Sequence, residues 1–190
     1  EIVFKERGGM AHIKTIFDQE HEKNPGRVLI VDGGDLIQGS GYAQLSEGAV
    51  MTDIIKAMNY DLLIPGNWEV VYGKDIMLDV MNGYDTQIIV QNMFDEDSKD
   101  PIFPTHWIKE IDGIKMGFIG INDPDVPVRQ NPIFSEGLTF SDIDDDLEHL
   151  INSLKVEEEL DLLFLVTHIG IFKQVDLANN EIAKNVDYIL

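Results

Sequence analysis

The sequence predicts an α/β domain with a largely parallel central sheet. Segments that carry apolar residues at helical spacing alternate along the chain with short segments that are continuously apolar. Strands separated by helices pair in parallel, and strands that are covered on both faces are apolar throughout. The 190 residues suffice for one domain with a sizeable core, and no repeat or low-complexity linker divides them.

The first half of the chain contains three helix–strand units. Apolar residues at Met10, Ile13, Ile16 and Phe17 predict a first helix, which ends at the break formed by Asn24-Pro25-Gly26. The same patterns then predict, in order, a strand at 27–32, a helix at 50–58, a strand at 62–65, a helix at 76–81 and a strand at 87–91.

The second half begins with a predicted hairpin. Asp112-Gly113 favours a tight turn between two strands at 107–112 and 114–121. The remaining pattern predicts an amphipathic helix at 143–154, with Ser141 and Asp144 as its capping pair, then a strand at 161–167, a helix at 175–185 and the start of a strand at 187–190.

Composition excludes several classes of site. The chain has no cysteine, which excludes zinc–thiolate sites, disulfides and cysteine nucleophiles. Its 35 acidic residues against 14 basic ones give a net charge of −21, which repels nucleic acid and anionic lipid. That charge would also repel a phosphate substrate unless bound cations reverse the local field. No apolar run predicts membrane insertion, and the charged residues 1–9 show no targeting segment.

Three predicted strands end in a polar residue set among glycines. These residues are Asp35, Asn67 and His168, which follow the strands at 27–32, 62–65 and 161–167. Carboxylate, amide and imidazole groups are ligands of divalent metals, and ligands of open α/β sheets collect at the carboxyl ends of strands. Each residue alone also fits an ordinary role in a turn or in the core. Together they predict a metal site at one rim of the sheet.

The same segments resemble the motifs of one enzyme family. Gly34-Asp35-Leu36-Ile37-Gln38-Gly39-Ser40 resembles the G-D-x-x-Q-G-S block of the 5'-nucleotidase branch of calcineurin-like metallophosphoesterases. Gly66-Asn67-Trp68-Glu69 resembles its G-N-H-E block with one change, and Thr167-His168-Ile169-Gly170 resembles its S-H-x-G block. The matches occur in the family's order over nearly the whole chain.

The resemblance implies a fold, a reaction and a set of ligands. The fold would be a metallophosphatase-type layered sandwich (α/β/β/α) with largely parallel sheets, present incompletely. The reaction would be hydrolysis of small-molecule phosphate monoesters, with nucleotides as the expected substrates. The cofactors would be two divalent metal ions, which could be Mn, Zn, Mg or Fe. Asp35 would bridge both ions, while Asn67 and His168 would each bind one. The family also implies a location in the periplasm or at the cell surface.

The family has two further metal motifs, D-x-H before the first helix and G-H-x-H after the last strand, which residues 1–190 do not contain. We therefore expect a single partial domain over 1–190, without the C-terminal domain that recognises the nucleotide. We expect this chain alone to bind the two ions weakly or not at all, and to be inactive without the rest of a longer protein.

Trp68 and Val71 stand where the family has the histidine and aspartate that assist the reaction. Neither side chain can transfer a proton, so no catalytic residue is assigned. Trp68 is predicted to form an aromatic wall for the substrate or to be a buried packing residue. Asn92, which also follows a strand, is the second predicted substrate contact.

The residues at positions 68 and 71 also allow two alternatives to a hydrolase of phosphate monoesters. The Gly-x-Trp-Glu pattern followed by Tyr72-Gly73 resembles the sulfur-oxidation thiosulfohydrolases, although these have histidine where this chain has Asn67. The replacement of the histidine and the aspartate also permits a binding or scaffold module that keeps the fold without the chemistry.

Overall fold

The computed structural model describes residues 8–144 and 146–190, so residues 1–7, on which the expectation about targeting mainly rests, lie outside it. The helices are α1 (Met10–Lys23), α2 (Gly41–Leu45), α3 (Met51–Met58), α4 (Lys74–Asn82), α5 (Val126–Arg129), α6 (Leu147–Glu157) and α7 (Ile171–Ala178). Short 3-10 helices cover Pro132–Ser135 and Glu181–Asn185. The strands are β1 (Val31–Asp32), β2 (Leu62–Leu63), β3 (Gln87–Ile88), β4 (Met93–Asp95), β5 (His106–Ile111), β6 (Ile114–Asn122), β7 (Leu138–Phe140), β8 (Leu162–His168) and β9 (Tyr188–Ile189).

Two main sheets organise the domain. The first has the order β1-β2-β3, and all of its strands are parallel. The second has the order β5-β6-β8-β9, in which only the β5–β6 hairpin is antiparallel. A small antiparallel pair, β4 with β7, was not expected from the sequence. The predicted α/β class with largely parallel sheets is confirmed.

The two sheets pack face to face. Leu62, Ile64 and Ile89 from the first sheet and its strand ends meet Phe118 and Val166 of the second sheet in one buried cluster. Because both contributing faces are apolar, water is excluded between the sheets, which supplies the dominant favourable term in such packing. This contact forms the middle of the molecule.

Helices cover the two outer faces. On the first sheet, Ile55 of α3 and Met77 of α4 join Leu63 in a buried cluster. On the second sheet, Ile151 of α6 packs with Leu165 of β8. The layers therefore run helix, sheet, sheet, helix, as the α/β/β/α prediction requires. None of the helices within the described ranges has the length and apolar character needed to cross a bilayer.

The predicted hairpin is confirmed. Asp112 and Gly113 connect β5 to β6 with φ values of 52° and 80°. Two successive positive φ values belong to the tight turn whose twist matches that of paired strands, and Asp-Gly is a preferred sequence for it. Trp107 lies opposite Phe118 across the pair, and their ring centroids are 5.5 Å apart.

Several predicted boundaries are wrong. The strand expected at 27–32 is paired only at Val31–Asp32, because the backbone of Ile30 instead accepts from the N–H of Asp61 and donates to its carboxylate. The helix expected from 143 begins at Leu147, and no side chain caps it, so the predicted capping pair is not formed. The helix expected at 175–185 is replaced by α7 and a separate 3-10 helix.

Candidate metal centre

The three predicted ligands meet at one point. His168 Nε2 lies 3.1 Å from Asn67 Oδ1 and 3.3 Å from Asp35 Oδ2. Asp35 follows β1, Asn67 follows β2 and His168 ends β8, so the carboxyl ends of strands from both sheets provide them. Residues separated by up to 133 positions in the chain, Asp35 and His168, thereby come into contact.

Glycines allow the two ligand loops to approach each other closely. A Cβ atom on Gly34 would collide with the backbone of Gly66 and would lie 2.9 Å from the carbonyl carbon of Pro65. A Cβ atom on Gly66 would collide with the Asp35 carboxylate and lie 2.9 Å from Cε1 of His168. Gly34 also has a φ of +97°, which other residues adopt at a cost. The glycines of both motifs are therefore required by the packing around the ligands.

The side chain of Glu69 connects the loop that carries Asp35 with the loop that carries Asn67. Its carboxylate accepts the backbone N–H groups of Asp35 at 2.9 Å, Leu36 at 2.6 Å and Gly66 at 2.7 Å. Its side chain is buried, and burial raises the pKa of this carboxyl while the backbone donors oppose the rise. No role was predicted for Glu69 from the sequence, although its acidic side chain in the block Gly66-Asn67-Trp68-Glu69 was the available signal.

The imidazole of His168 is oriented by its other nitrogen. Nδ1 lies 2.7 Å from the carbonyl oxygen of Gly33, which can only accept, so Nδ1 carries the proton of this bond. A ring held in this way presents Nε2 toward Asp35 and Asn67, and metal-binding histidines are commonly oriented by such a bond. The hydrogen bond to Asp35 raises the pKa of His168, while burial acts in the opposite direction.

The donor set and its spacing fit one divalent ion. Two ligand atoms bound at about 2.1 Å lie about 3.0 to 3.4 Å apart for angles between octahedral and tetrahedral. The measured separations of 3.1 and 3.3 Å from His168 Nε2 fall in this range. Within residues 8–144 and 146–190, no cluster of three or more His, Cys, Asp or Glu side chains suited to a metal occurs. A metal ion held at this point would have Asn67 as its third ligand, beside Asp35 and His168.

Asn92, predicted to contact substrate, instead lies within the protein. Its side chain is 0% exposed, donates to the carbonyl of Asn122 at 2.8 Å and accepts from the N–H of Asn122 at 2.9 Å. Asn122 in turn donates its side-chain amide to the carbonyl of Gly66 at 3.3 Å. In this arrangement Asn92 supports the Asn67 loop through Asn122, and a ligand has no access to its amide.

Trp68 lies at the surface beside the ligands, so a buried packing role is excluded. The residue is 39% exposed, and its backbone N–H donates to Asp35 Oδ1 at 2.9 Å. Together with Val71 and Asn67 it lines a cavity of about 400 Å³. A role of Trp68 in substrate binding remains a prediction.

A second cleft, of about 540 Å³, is lined by residues of β1, β6 and β8 together with neighbouring segments. Apolar residues such as Leu29, Val31, Phe118 and Phe164 line most of it. It contains none of Asp35, Asn67 and His168 and has no cluster of polar groups suited to phosphate chemistry.

Known proteins share this sequence and fold. The chain is 28% identical over 165 residues to a 5'-nucleotidase of Vibrio vulnificus, covering 85% of this chain and 30% of that protein. It is 27% identical to the trifunctional nucleotide phosphoesterase protein YfkN of Bacillus subtilis, covering 91% of this chain and 13% of that protein. The solved structure of the calcineurin-like phosphoesterase YfkN superimposes with a TM-score of 0.79 and 26% identity, covering 97% of this chain and 64% of that one.

The chain is similar in sequence to 5'-nucleotidases and in sequence and fold to a calcineurin-like phosphoesterase. The sulfate thiohydrolase SoxB of Thermus thermophilus has the same fold, with a TM-score of 0.82, 26% identity, and coverage of 96% of this chain and 33% of that one. No family model matches the sequence. The chain spans less than a third of the length of the Vibrio nucleotidase.

Proposed function

We propose that the protein is a metal-dependent hydrolase of phosphate monoesters, with nucleotides as substrates. In this proposal residues 1–190 form part of the metal-binding domain of a longer protein that also has a nucleotide-recognition domain. The proposal rests on the contact between Asp35, Asn67 and His168 at the carboxyl ends of the strands. His168 Nε2 lies 3.1 Å from Asn67 Oδ1 and 3.3 Å from Asp35 Oδ2. Relatives named as 5'-nucleotidases and nucleotide phosphoesterases support the choice of substrate.

The proposed site takes two divalent ions. Bound divalent ions clamp a phosphoryl oxygen and lower the pKa of a coordinated water, which supplies the nucleophile. Asp35 Oδ2, Asn67 Oδ1 and His168 Nε2 would hold one ion, and Asp35 would be shared with the second. The second ion needs ligands beyond these three, and the family resemblance assigns them to the D-x-H and G-H-x-H motifs. Mn, Zn, Mg and Fe all suit such mixed oxygen and nitrogen ligands.

The chain's own residues have separate tasks in this reaction. The Gly33 carbonyl keeps the His168 ring in position, and Glu69 keeps the loops of Asp35 and Asn67 together. Trp68 and Val71 cannot donate a proton to the leaving group, so protonation must come from water or from a group outside this set. The relatives do not favour the scaffold or the thiosulfohydrolase alternative.

The experiment is a turnover assay of the full-length protein. With Mn²⁺ present, we expect hydrolysis of AMP and of 4-nitrophenyl phosphate, and loss of both activities with a chelator. Asp35→Ala should lower kcat/KM at least about a hundredfold, because it removes the shared ligand. Asp53→Ala, an exposed substitution on α3, is the matched control and should retain activity. Absence of metal-dependent turnover by the wild-type protein would reject the proposal.

We also propose that the protein resides in the periplasm or at the cell surface. The family resemblance supports this location, and the absence of cysteine is compatible with it. Fractionation of cells that express the full-length protein tests the location directly. Recovery of the protein with the cytosolic fraction alone would contradict it.

A further inference from the structure

The turn after β6 contacts the Asn67 loop at two carbonyl groups, although it provides none of the predicted metal ligands. β6 ends at Asn122, whose side-chain amide donates to the carbonyl of Gly66 at 3.3 Å. Gln130, which is 63 positions from Asn67 in the chain, donates its side-chain amide to the carbonyl of Asn67 at 2.6 Å. Two amide donors from one turn therefore bind the carbonyls on either side of the Asn67 α-carbon.

These bonds fix both peptide planes next to Asn67. A peptide group is planar, so the chain rotates only about the two bonds at each α-carbon. The plane that precedes Asn67 is held through its carbonyl by Asn122. The plane that follows it is held at both ends, because its carbonyl accepts from Gln130 and its N–H donates to Asp35 Oδ1 at 2.9 Å. Fixed planes on both sides leave the Asn67 α-carbon with a single orientation.

The orientation of this α-carbon directs the side chain of Asn67 toward His168. Asn67 Oδ1 lies 3.1 Å from His168 Nε2. Rotation of the peptide plane that follows Asn67 would carry Oδ1 away from the histidine. Of the two bonds that hold this plane, the one to Asp35 involves a carboxylate that the proposed ions would also bind. Gln130 is outside the ligand set, so its bond holds the plane independently of the ligands.

Gln130 itself lies on an anchored turn. It ends α5, and its backbone N–H donates to the carbonyl of Val126 at 3.1 Å. Val126 is 1% exposed and belongs to the buried cluster that α3 and α4 form with the first sheet. A long side chain loses conformational freedom when it makes one bond, and an anchored backbone limits that cost. The position of Gln130 therefore suits a fixed contact.

An ion cluster connects the same turn to the segment after His168. Asp123 is 4% exposed and contacts Arg129 at 3.0 Å and Lys173 at 2.9 Å, so two cations compensate its buried charge. Lys173 also contacts Asp125 at 2.7 Å. Lys173 lies on α7, the helix that follows His168. The turn is thereby attached both to the Asn67 loop and to the segment that carries the histidine.

We propose that Gln130 is a positioning residue, which keeps Asn67 facing His168 so that the two side chains can share one metal ion. Gln130 contacts neither the ion nor the substrate and acts only through the backbone of Asn67. Because the amide oxygen of Asn67 is uncharged, its attraction for an ion is short-ranged and depends on its placement. The inference rests on the proposed metal-dependent function and adds a residue from outside the metal-binding motifs.

The test is a double-mutant cycle of Mn²⁺ affinity in the full-length protein, measured by calorimetry. Gln130→Met keeps the length of the side chain and removes the donor. We expect it to weaken binding about threefold to tenfold, less than is usual for partners of a ligand's side chain, because Gln130 holds only the backbone of its ligand. In the Asn67→Ala background the same change should alter the affinity by less than about twofold. Gln19→Met, an exposed change on α1, should bind as the wild type does.

Two outcomes of the cycle would overturn the inference. Equal affinity of Gln130→Met and the wild type would show that the contact does not influence the ligand. An equal loss in the presence and in the absence of the Asn67 side chain would show that Gln130 does not act through Asn67. Gln130→Ala also lacks the donor but is smaller, so the same loss in this variant excludes a steric effect of methionine.

Hydrogen exchange in the metal-free protein tests the contact without a bound ion. The backbone N–H of Trp68 belongs to the peptide plane that Gln130 holds. In Gln130→Met and Gln130→Ala it should exchange about threefold to tenfold faster than in the wild type, as the loss of one hydrogen bond predicts, while the N–H of Leu165 in β8 is unchanged. Unchanged exchange at Trp68 in both variants would overturn the inference. If the wild type binds no Mn²⁺, the phosphoesterase proposal is rejected, and the exchange rates alone decide whether Gln130 positions Asn67.

Discussion

The carboxylate of Glu69 accepts the backbone N–H of Asp35 at 2.9 Å. The same carboxylate also accepts from Gly66, so one buried side chain connects the loop after β1 with the loop after β2. Asp35 has a φ of 66°, a conformation that a non-glycine residue adopts at an energetic cost. The hydrogen bonds to Glu69 help to maintain this conformation, and with it the position of the Asp35 carboxylate.

Glu69→Ala should destabilise the fold strongly. The substitution leaves the N–H groups of Asp35, Leu36 and Gly66 without their acceptor. Each unsatisfied buried donor costs about 1 to 3 kcal/mol, so we expect a loss of at least about 3 kcal/mol in the free energy of unfolding. Denaturant titration measures it, with the exposed Glu110→Ala as control. A loss below about 0.5 kcal/mol would contradict the role assigned to Glu69.

Gly66→Ala should disturb the site by steric conflict alone. The added methyl group would meet the Asp35 carboxylate and the His168 ring, whereas an alanine at Gly41 would meet nothing within 4 Å. We expect Gly66→Ala to lower the free energy of unfolding by about 1 to 3 kcal/mol and to weaken metal binding. Gly41→Ala should be neutral or slightly stabilising. Equal thermal stability of the two variants would show that the loops do not pack as described.

The residues of this site could be predicted because a side chain of a metal-binding type follows each of three apolar strands. Parallel strands bring their carboxyl ends to a common edge, which places Asp35 and Asn67 together. His168 ends a strand of the second sheet, whereas the strand pattern alone predicted a single central sheet. The hairpin was predictable for a similarly local reason, since Asp112-Gly113 specifies its turn. Both predictions used information contained in short segments.

Other features depend on contacts that a linear pattern does not contain. Asn92 also follows an apolar strand, but its amide pairs with Asn122, 30 residues away, and so lies inside the protein. The short β4 and β7 strands pair across more than 40 residues and have too few residues for a recognisable alternation. Gln130 contacts the Asn67 loop from a turn whose position only the tertiary structure determines.

Asn92→Ala should lower the free energy of unfolding. Removal of the amide leaves the N–H and carbonyl of Asn122 without their side-chain partner in a fully buried position. We expect a loss of about 2 to 4 kcal/mol in the free energy of unfolding. Asn82→Ala, an exposed change on α4, should have little effect on thermal or chemical unfolding. Should Asn92→Ala instead raise KM without loss of stability, its predicted contact with substrate would have to be reinstated.

The ion pair between Lys74 and Asp95 should make stability depend on pH. Hydrogen bonding to Lys74 depresses the pKa of Asp95 below its ordinary value of 3.8. The pair therefore stabilises the fold above about pH 4, and this contribution is lost as pH falls through the depressed pKa.

Lys74→Met should lower the free energy of unfolding at pH 7, and its difference from wild type should shrink as pH falls below about 4. Urea titrations at several pH values measure this difference. Lys56→Met on the exposed face of α3 provides the control and should show no such trend. A difference between Lys74→Met and wild type that stays constant down to pH 2 would contradict the assignment.

The most direct test of the central claim is Mn²⁺ binding to the full-length protein, measured by isothermal titration calorimetry. Wild-type protein should bind the ion saturably, and Asp35→Asn, Asn67→Ala and His168→Ala should each weaken binding at least about tenfold. His149→Ala, on the exposed face of α6, should bind as the wild type does. Equal affinity of all of these proteins would show that Asp35, Asn67 and His168 do not form a metal site.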